Sequence, residues 1–374
     1  MSQPGPSGPR LRADLPASAD FVVVGAGITG AAVAHQLARR GASVVVLEQA
    51  PGPCAGATGR SGGMVRGYDA DPVIEKLALA SLAVYRDPRR WASQRTPLRA
   101  VGAVTLDHPD RTPALREAAG RINAALGASA YVAEEDEDEV EGIRTAGGVA
   151  LVEPEAGWVA PAEVAEDWLA QARGDGAVVC HGVRVHAVDT RGGRPAVHTD
   201  AGVIRAAAVV AAVGPWAGDP VPGLRPAAPI RARSIQVSIV ERRPPAPPHP
   251  AFIDLRTGGY AKPVGTDRTL IGLPHLVWDS AFDAPPDPAH ERATRAALTA
   301  HLPWLATAAP VRTVRAADAY HPPGDDQAHG LLEGTGVPHV WCVRAWNGGG
   351  VRTAPEAGRR IARACVADAF TDAA

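Results

Sequence analysis

Residues 22–49 read VVVGAGITGAAVAHQLARRGASVVVLEQ. A valine run, a glycine turn, an alanine-rich helix and a second valine run make a βαβ unit. The apolar runs suit strands buried on both faces, and Gly41 closes the helix. Gly25-Ala26-Gly27-Ile28-Thr29-Gly30 follows a strand and opens a helix, the context that gives G-x-G-x-x-G its dinucleotide meaning. Gly25 permits the tight turn, and Gly27 lets backbone N–H groups approach a pyrophosphate at the helix N-terminus. Gly30 lets helix and strand pack closely. Ala26, Ile28 and Thr29 complete the cofactor-binding turn. Glu48 ends the second strand 18 residues beyond Gly30, where a carboxylate accepts from ribose hydroxyls and disfavours a 2′-phosphate. Gln49 lies beside it. This stretch alone leaves NAD and FAD level.

The whole chain narrows the field. Its 374 residues suit two domains or one large α/β domain. A net charge of −2 leaves no basic footprint for nucleic acid. No apolar run reaches the about 18–20 residues of a membrane span. The opening MSQPGPSGPRLRADLPASAD lacks the apolar centre of a signal peptide, so residues 1–18 are expected to be a flexible tail. Cys54, Cys180, Cys342 and Cys365 have no metal-ligand spacing and are too sparse for a disulfide framework, which points to the cytoplasm and to no metal. Only Lys76 and Lys262 among the 38 Lys and Arg residues are lysines.

Further along, a glycine-dense loop covers 49–67 and a helical pattern 72–92. VGAVTL and GVALVE read as strands around a polar region whose acidic run, 134–141, is a solvated face. A helix over 161–176 precedes AVVCHGVRVHAV and the apolar strand AAVVAAVG, which runs into Gly214-Pro215-Trp216. Proline-rich turns or linkers lie at 244–250 and 284–288, with a helix near 288–301. GGYAKPVGTDRTLIG is a hairpin with GTD as its turn. The C-terminal region is a strand, a glycine-rich turn and a helix. The fold class is α/β, α+β overall.

Arg60-Ser61-Gly62-Gly63-Met64, followed by Val65 and Arg66, separates the two cofactors. Consecutive glycines just after Glu48 suit a backbone threading past a bulky group, which NAD enzymes do not require. Here the chain resembles the flavin amine-oxidoreductase family of sarcosine oxidase, glycine oxidase and D-amino-acid dehydrogenase, over residues 20–366. VEPEAGWVAPAEVAEDWLAQARGDGAVV resembles the family's link back into the flavin domain. VVAAVGPWAG resembles its strand past the adenosine, carrying Gly214 and Trp216, with Val185 in the same cofactor set. NGGGVRTAPEAGRRIA resembles its C-terminal flavin turn. There Gly348, Gly349, Gly350, Val351 and Arg352 direct N–H groups at the flavin carbonyls and stabilise negative charge on the reduced ring.

The resemblance implies a Rossmann-like FAD-binding domain made of 19–90, 151–225 and 322–374, and a mixed-sheet substrate domain made of 91–150 and 226–321. It implies that Arg66 and Arg352 clamp a substrate carboxylate, orienting the α-C–H bond. Tyr260 matches a tyrosine facing the substrate, and strand alternation puts Lys262 on the same face. Tyr320, beside His321, matches a second active-site aromatic. Two departures matter. Asp318 stands where some members attach FAD through cysteine, and the Gly62-Gly63 loop has no histidine, so non-covalent FAD is expected. Leu270 stands where sarcosine oxidases carry the lysine that activates oxygen, leaving Lys262 as a substitute and the electron acceptor, oxygen or another, open. The expected reaction is C–N oxidation of a small amine or amino acid by hydride transfer to flavin N5. A flavin monooxygenase, a hydroxy-acid oxidoreductase and a non-catalytic FAD-binding subunit are the alternatives on this fold.

Overall fold

The computed structural model describes residues 15–371 except 135–136, 192, 219, 244–246 and 323–330. Most of the expected tail, and parts of the acidic run, the first proline-rich turn and the 322–374 segment, lie outside those residues. Among the described residues two eight-stranded sheets dominate. In the first, Val178–His181, Val44–Glu48, Ser18–Val24 and Gly202–Ala211 run parallel in that order. Beyond the long strand Gly202–Ala211 the sheet forks. Its first half pairs antiparallel with Ala196–Thr199, and its last residues pair parallel with Val340–Val343.

The valine runs behave as their composition demands. Phe21 and Val23 enter the core under the helices, while Val22 and Val24 enter the core on the opposite face. Each buried valine contributes about 1.5–3 kcal/mol, so a polar residue at either phase would be expelled. The helices Ile28–Ala38, Pro161–Gly174 and Gly350–Thr371 pack together on this sheet, and Pro72–Arg86 packs on the last of them.

One contact between helices fixes the C-terminal turn. Pro355 lies inside Gly350–Thr371 and has no N–H for the carbonyl of Val351, four residues earlier. The Tyr85 hydroxyl donates to that carbonyl at 2.7 Å instead. Ser81 Oγ donates to Thr353 O at 3.0 Å. Tyr85 is in turn stacked in a group with Trp91 and Trp168, which ties three helices together.

The second sheet runs Pro310–Tyr320, Arg231–Glu241, Arg268–Gly272, Gly259–Val264, Ala251–Asp254, Ala103–Asp107, Val149–Glu153, Tyr131–Val132. It is mixed, because Ala251–Asp254 runs parallel to Ala103–Asp107. The hairpin forms as expected, Gly259–Val264 against Arg268–Gly272. The boundary expected at 151 cuts the strand Val149–Glu153, which pairs entirely within the second sheet. The region between VGAVTL and GVALVE contains the helix Thr112–Leu126, absent from the sequence reading.

Candidate active site

A cavity of ≈ 520 Å³ opens between the Gly25–Thr29 turn, the 54–66 loop, the end of Gly202–Ala211, one face of the second sheet and the 343–352 turn. Gly25 holds φ +103°, and a Cβ there would lie 2.5 Å from Ala212 O. At Gly30 a Cβ would lie 2.0 Å from Gly25 O, which makes this glycine the contact between helix and turn. Ala26 and Gly30 lie beneath the cavity rather than in its wall. Ala26 contributes its N–H, which donates to Glu48 Oε2 at 2.9 Å, while Ala50 N–H donates to Oε1 at 2.9 Å. The carboxylate is thus fixed in the wall, with lone pairs left for hydroxyl donors.

Gly27, Ile28, Thr29, Gln49, Arg60, Ser61, Gly62, Gly63 and Met64 also line the cavity, as do Val185, Gly214 and Trp216. Gly348, Gly349, Gly350, Val351 and Arg352 do so from the C-terminal turn. Gly63 has φ +68°, and a Cβ there would lie 2.2 Å from Val159 O, so the loop threads where no other residue fits. Sequence reading missed Thr58. Gly27 caps its helix with no side chain, and Thr58 Oγ1 accepts from Ile28 N–H at 3.0 Å, at the anion-attracting helix end.

The cationic wall follows. Arg66 and Arg352 are both buried and both line the cavity. Burial and the neighbouring Arg352 pull the Arg66 pKa down to about 10. The Arg66 Nε is buried without an acceptor among the described residues. Arg352 donates to Tyr68 O at 3.1 Å and forms an ion pair with Asp69 at 2.5 Å. Glu153 is buried near both arginines, with its carboxylate accepting from Gly67 N–H at 2.6 Å and Tyr68 N–H at 3.2 Å.

Tyr260 and Tyr320 line the cavity together, and burial pushes both phenols up, so they stay protonated. The Tyr260 ring occupies the space where Gly272 lacks a side chain, since a Cβ there would lie 2.2 Å from its Cζ. Asp318 also lines the cavity, and burial raises its carboxyl to about 6. His321 turns away from the cavity, with Nδ1 3.0 Å from Pro229 O and Nε2 accepting from Ala345 N–H at 3.2 Å.

Lys262 shares the face of Tyr260 but is not in the cavity wall. Its Nζ rests 3.5 Å from the ring centroid of Trp158, whose strand pairs with Met64–Val65. Burial, then Arg99, pushes its pKa down to about 7, while the indole face favours the charged form. The unfolded chain therefore binds more protons between pH 7 and about 10.4, and stability from this group rises with pH across that window. Lys262→Met should raise Tm most below pH 7, with the gain shrinking toward pH 10. A pH-independent difference in thermal melts would contradict this.

The donor set fits a flavin dinucleotide. A fixed carboxylate can accept from hydroxyls, a helix N-terminus can take an anion, and a three-glycine turn lines the same cavity. A family model described as FAD dependent oxidoreductase matches residues 20–364. The tRNA 5-methylaminomethyl-2-thiouridine biosynthesis bifunctional protein of Maricaulis maris is 30% identical over 290 residues, 76% of this chain and 42% of that protein. The 4-methylaminobutanoate oxidase (formaldehyde-forming) of Paenarthrobacter nicotinovorans is 24% identical over 372 residues, 93% of this chain and 44% of that protein. The chain thus spans less than half the length of these curated relatives. Among solved structures, L-proline dehydrogenase from P. horikoshii superposes with TM-score 0.78 at 21% identity, covering 93% of each chain. Glycine oxidase from Geobacillus kaustophilus gives 0.76 at 20% identity, covering 94% of this chain and 96% of that one.

Proposed function

This chain belongs to the FAD-dependent oxidoreductase family, and from that premise we propose that it oxidises the C–N bond of a small amine or amino acid to an imine. The observation that carries this reading is Arg66, a buried cation in the cavity wall whose Nε has no acceptor among the described residues. A substrate carboxylate supplies that acceptor, and Arg352 completes the anchor. Two fixed forks orient the carbon next to nitrogen, and the phenols of Tyr260 and Tyr320 cover it against water. These hydroxyls stay neutral, so they donate hydrogen bonds and leave the amine proton alone. When bound, FAD supplies the two-electron acceptor for the hydride leaving that carbon, and water then hydrolyses the imine. Gly27–Thr29, Glu48 and Gly348–Gly350 hold the cofactor.

The segments around the first sheet form the FAD-binding part, and those around the second cover the substrate. We assign non-covalent FAD. The cavity wall offers Asp318 rather than cysteine on the substrate sheet, and burial holds the Cys54 thiol up at about 12. Four free cysteines support a reducing cytoplasmic setting, and no described helix is long and apolar enough to cross a membrane. The relative from Maricaulis maris bears a tRNA-modification name, but the net charge of −2 favours a small substrate here. Oxygen or another carrier reoxidises the flavin, and peroxide formed in air tells which.

Purified protein should be yellow, acid should release the flavin, and a panel of glycine, sarcosine, proline and D-amino acids should contain one that bleaches it anaerobically. Colourless protein that FAD cannot reconstitute, or flavin bleached by no amine, would sink the reading.

A further inference from the structure

The cavity wall holds a further arginine for which the reaction just described has no use. Arg233 projects from Arg231–Glu241 on the face it shares with Asp318 and Tyr320, the adjoining strand pairing Arg233 with Asp318 and Arg231 with Tyr320. Its guanidinium lies 3.5 Å from the ring centroid of Tyr320 and 5.8 Å from that of Trp278, the flat support a planar cation prefers. Its Nε is buried and donates to nothing among the described residues.

Its neighbours are provided for. Arg231 is ion-paired with Asp279, Arg352 with Asp69, and the open Nε of Arg66 is the one assigned above to the first carboxylate. Asp318 lies across the strand from Arg233 yet forms no ion pair with it, its carboxylate accepting instead from Ala319 N–H at 2.8 Å. Along the same strand face Ile235 lines the cavity beyond Arg233, and Val237 after it lies in the row that holds Gly272 and Tyr260. A cation at the end of a hydrocarbon strip recognises an acid at the end of a methylene chain.

We propose that Arg233 determines specificity by taking a second carboxylate, so that the preferred substrates are amines or amino acids with an acid group remote from the oxidised C–N bond. This rests on the amine-oxidation reading. The bond broken and the electrons moved are unchanged; Arg233 contributes only binding.

The test compares glutamate with glutamine, and N-methylglutamate with N-methylglutamine, in both enantiomers, by anaerobic flavin reduction of the holoenzyme. Members of each pair are nearly isosteric and differ in charge at the far end. The acid should exceed the amide about tenfold or more in kcat/KM, the scale of one charge-assisted pair. Arg233→Met should bring that ratio to about one while leaving the amide within about threefold, and Asp318→Asn should raise it. Equal reduction by acid and amide in the wild type overturns the proposal. So does an equal loss on both in Arg233→Met, or loss of FAD from that variant.

Should the variant not fold, glutarate against its monoamide, titrated into wild-type holoenzyme by flavin absorbance, makes the same comparison. Tighter glutarate binding is expected, and equal binding overturns the proposal. If no amine reduces the flavin while glutarate still binds preferentially, the oxidation reading fails and the anion site at Arg233 stands.

Discussion

Replacing Gly30 with valine is expected to give protein that emerges colourless, with FAD affinity reduced at least about a hundredfold. A Cβ at this position would sit 2.0 Å from Gly25 O, inside any permitted contact, and both partners are backbone. Side-chain rearrangement cannot relieve the clash, so the helix Ile28–Ala38 must lift from the strand beneath it. That movement carries away the Ile28 N–H and the Ala26 N–H, which set the helix N-terminus and the Glu48 carboxylate. The cost also falls on the helix packing against Gly350–Thr371. Flavin absorbance per protein, with circular dichroism to follow the fold, checks the result. A folded, yellow Gly30→Val protein would show that the turn is not the cofactor's cradle.

Replacing Arg66 with alanine should lower kcat/KM by about 10²–10³-fold, about 3–4 kcal/mol, within the range typical of removing one partner from a buried charged pair. The loss should appear mainly in KM for carboxylate substrates, with a smaller part in kcat from poorer alignment of the reacting carbon. Alanine also leaves Glu153 with one fewer cation in a buried site, so its carboxyl should shift further upward. Added guanidinium should restore part of the activity, because it returns charge and donors to the space vacated. Loss without rescue, and with unchanged KM, would assign Arg66 to structure instead.

Much of this architecture can be read from residues whose physics leaves few choices. A strand buried on both faces has to be apolar at every position, and Phe21–Val24 and Val44–Leu47 satisfy that. The places of Arg66 and Arg352 in the cavity wall are legible because each closely follows a glycine turn. Lys262 shows the limit. Alternation gives the face of a strand, but not what covers that face, and here Trp158 takes the ammonium. Thr58 is hidden because an uncapped helix end needs a hydroxyl from some loop, and the sequence does not say which. Arg233 is one of many arginines. Its place beside Ile235 and Val237 has meaning only once Arg231–Glu241 is known to face the cavity. The helix Thr112–Leu126 buries Leu115, Ala118, Ala119 and Ile122, and two alanines of four make a faint stripe.

The hydroxyl of Tyr85 on the carbonyl of Val351 has a consequence in time. The two residues lie 266 apart in the chain, and the carbonyl is free only because Pro355 follows it. At ribosomal speeds of about 5–20 residues per second, Val351 emerges roughly 13–50 seconds after Tyr85. Until then the helix Ile28–Ala38 has no Gly350–Thr371 to pack on, and the flavin turn does not exist. The dinucleotide motif near the start of the chain is thus synthesised early but completed late. Cofactor capture therefore waits for the synthesis of the Gly348–Gly350 turn, and cells short of riboflavin should accumulate chains that lack the ligand's added stability.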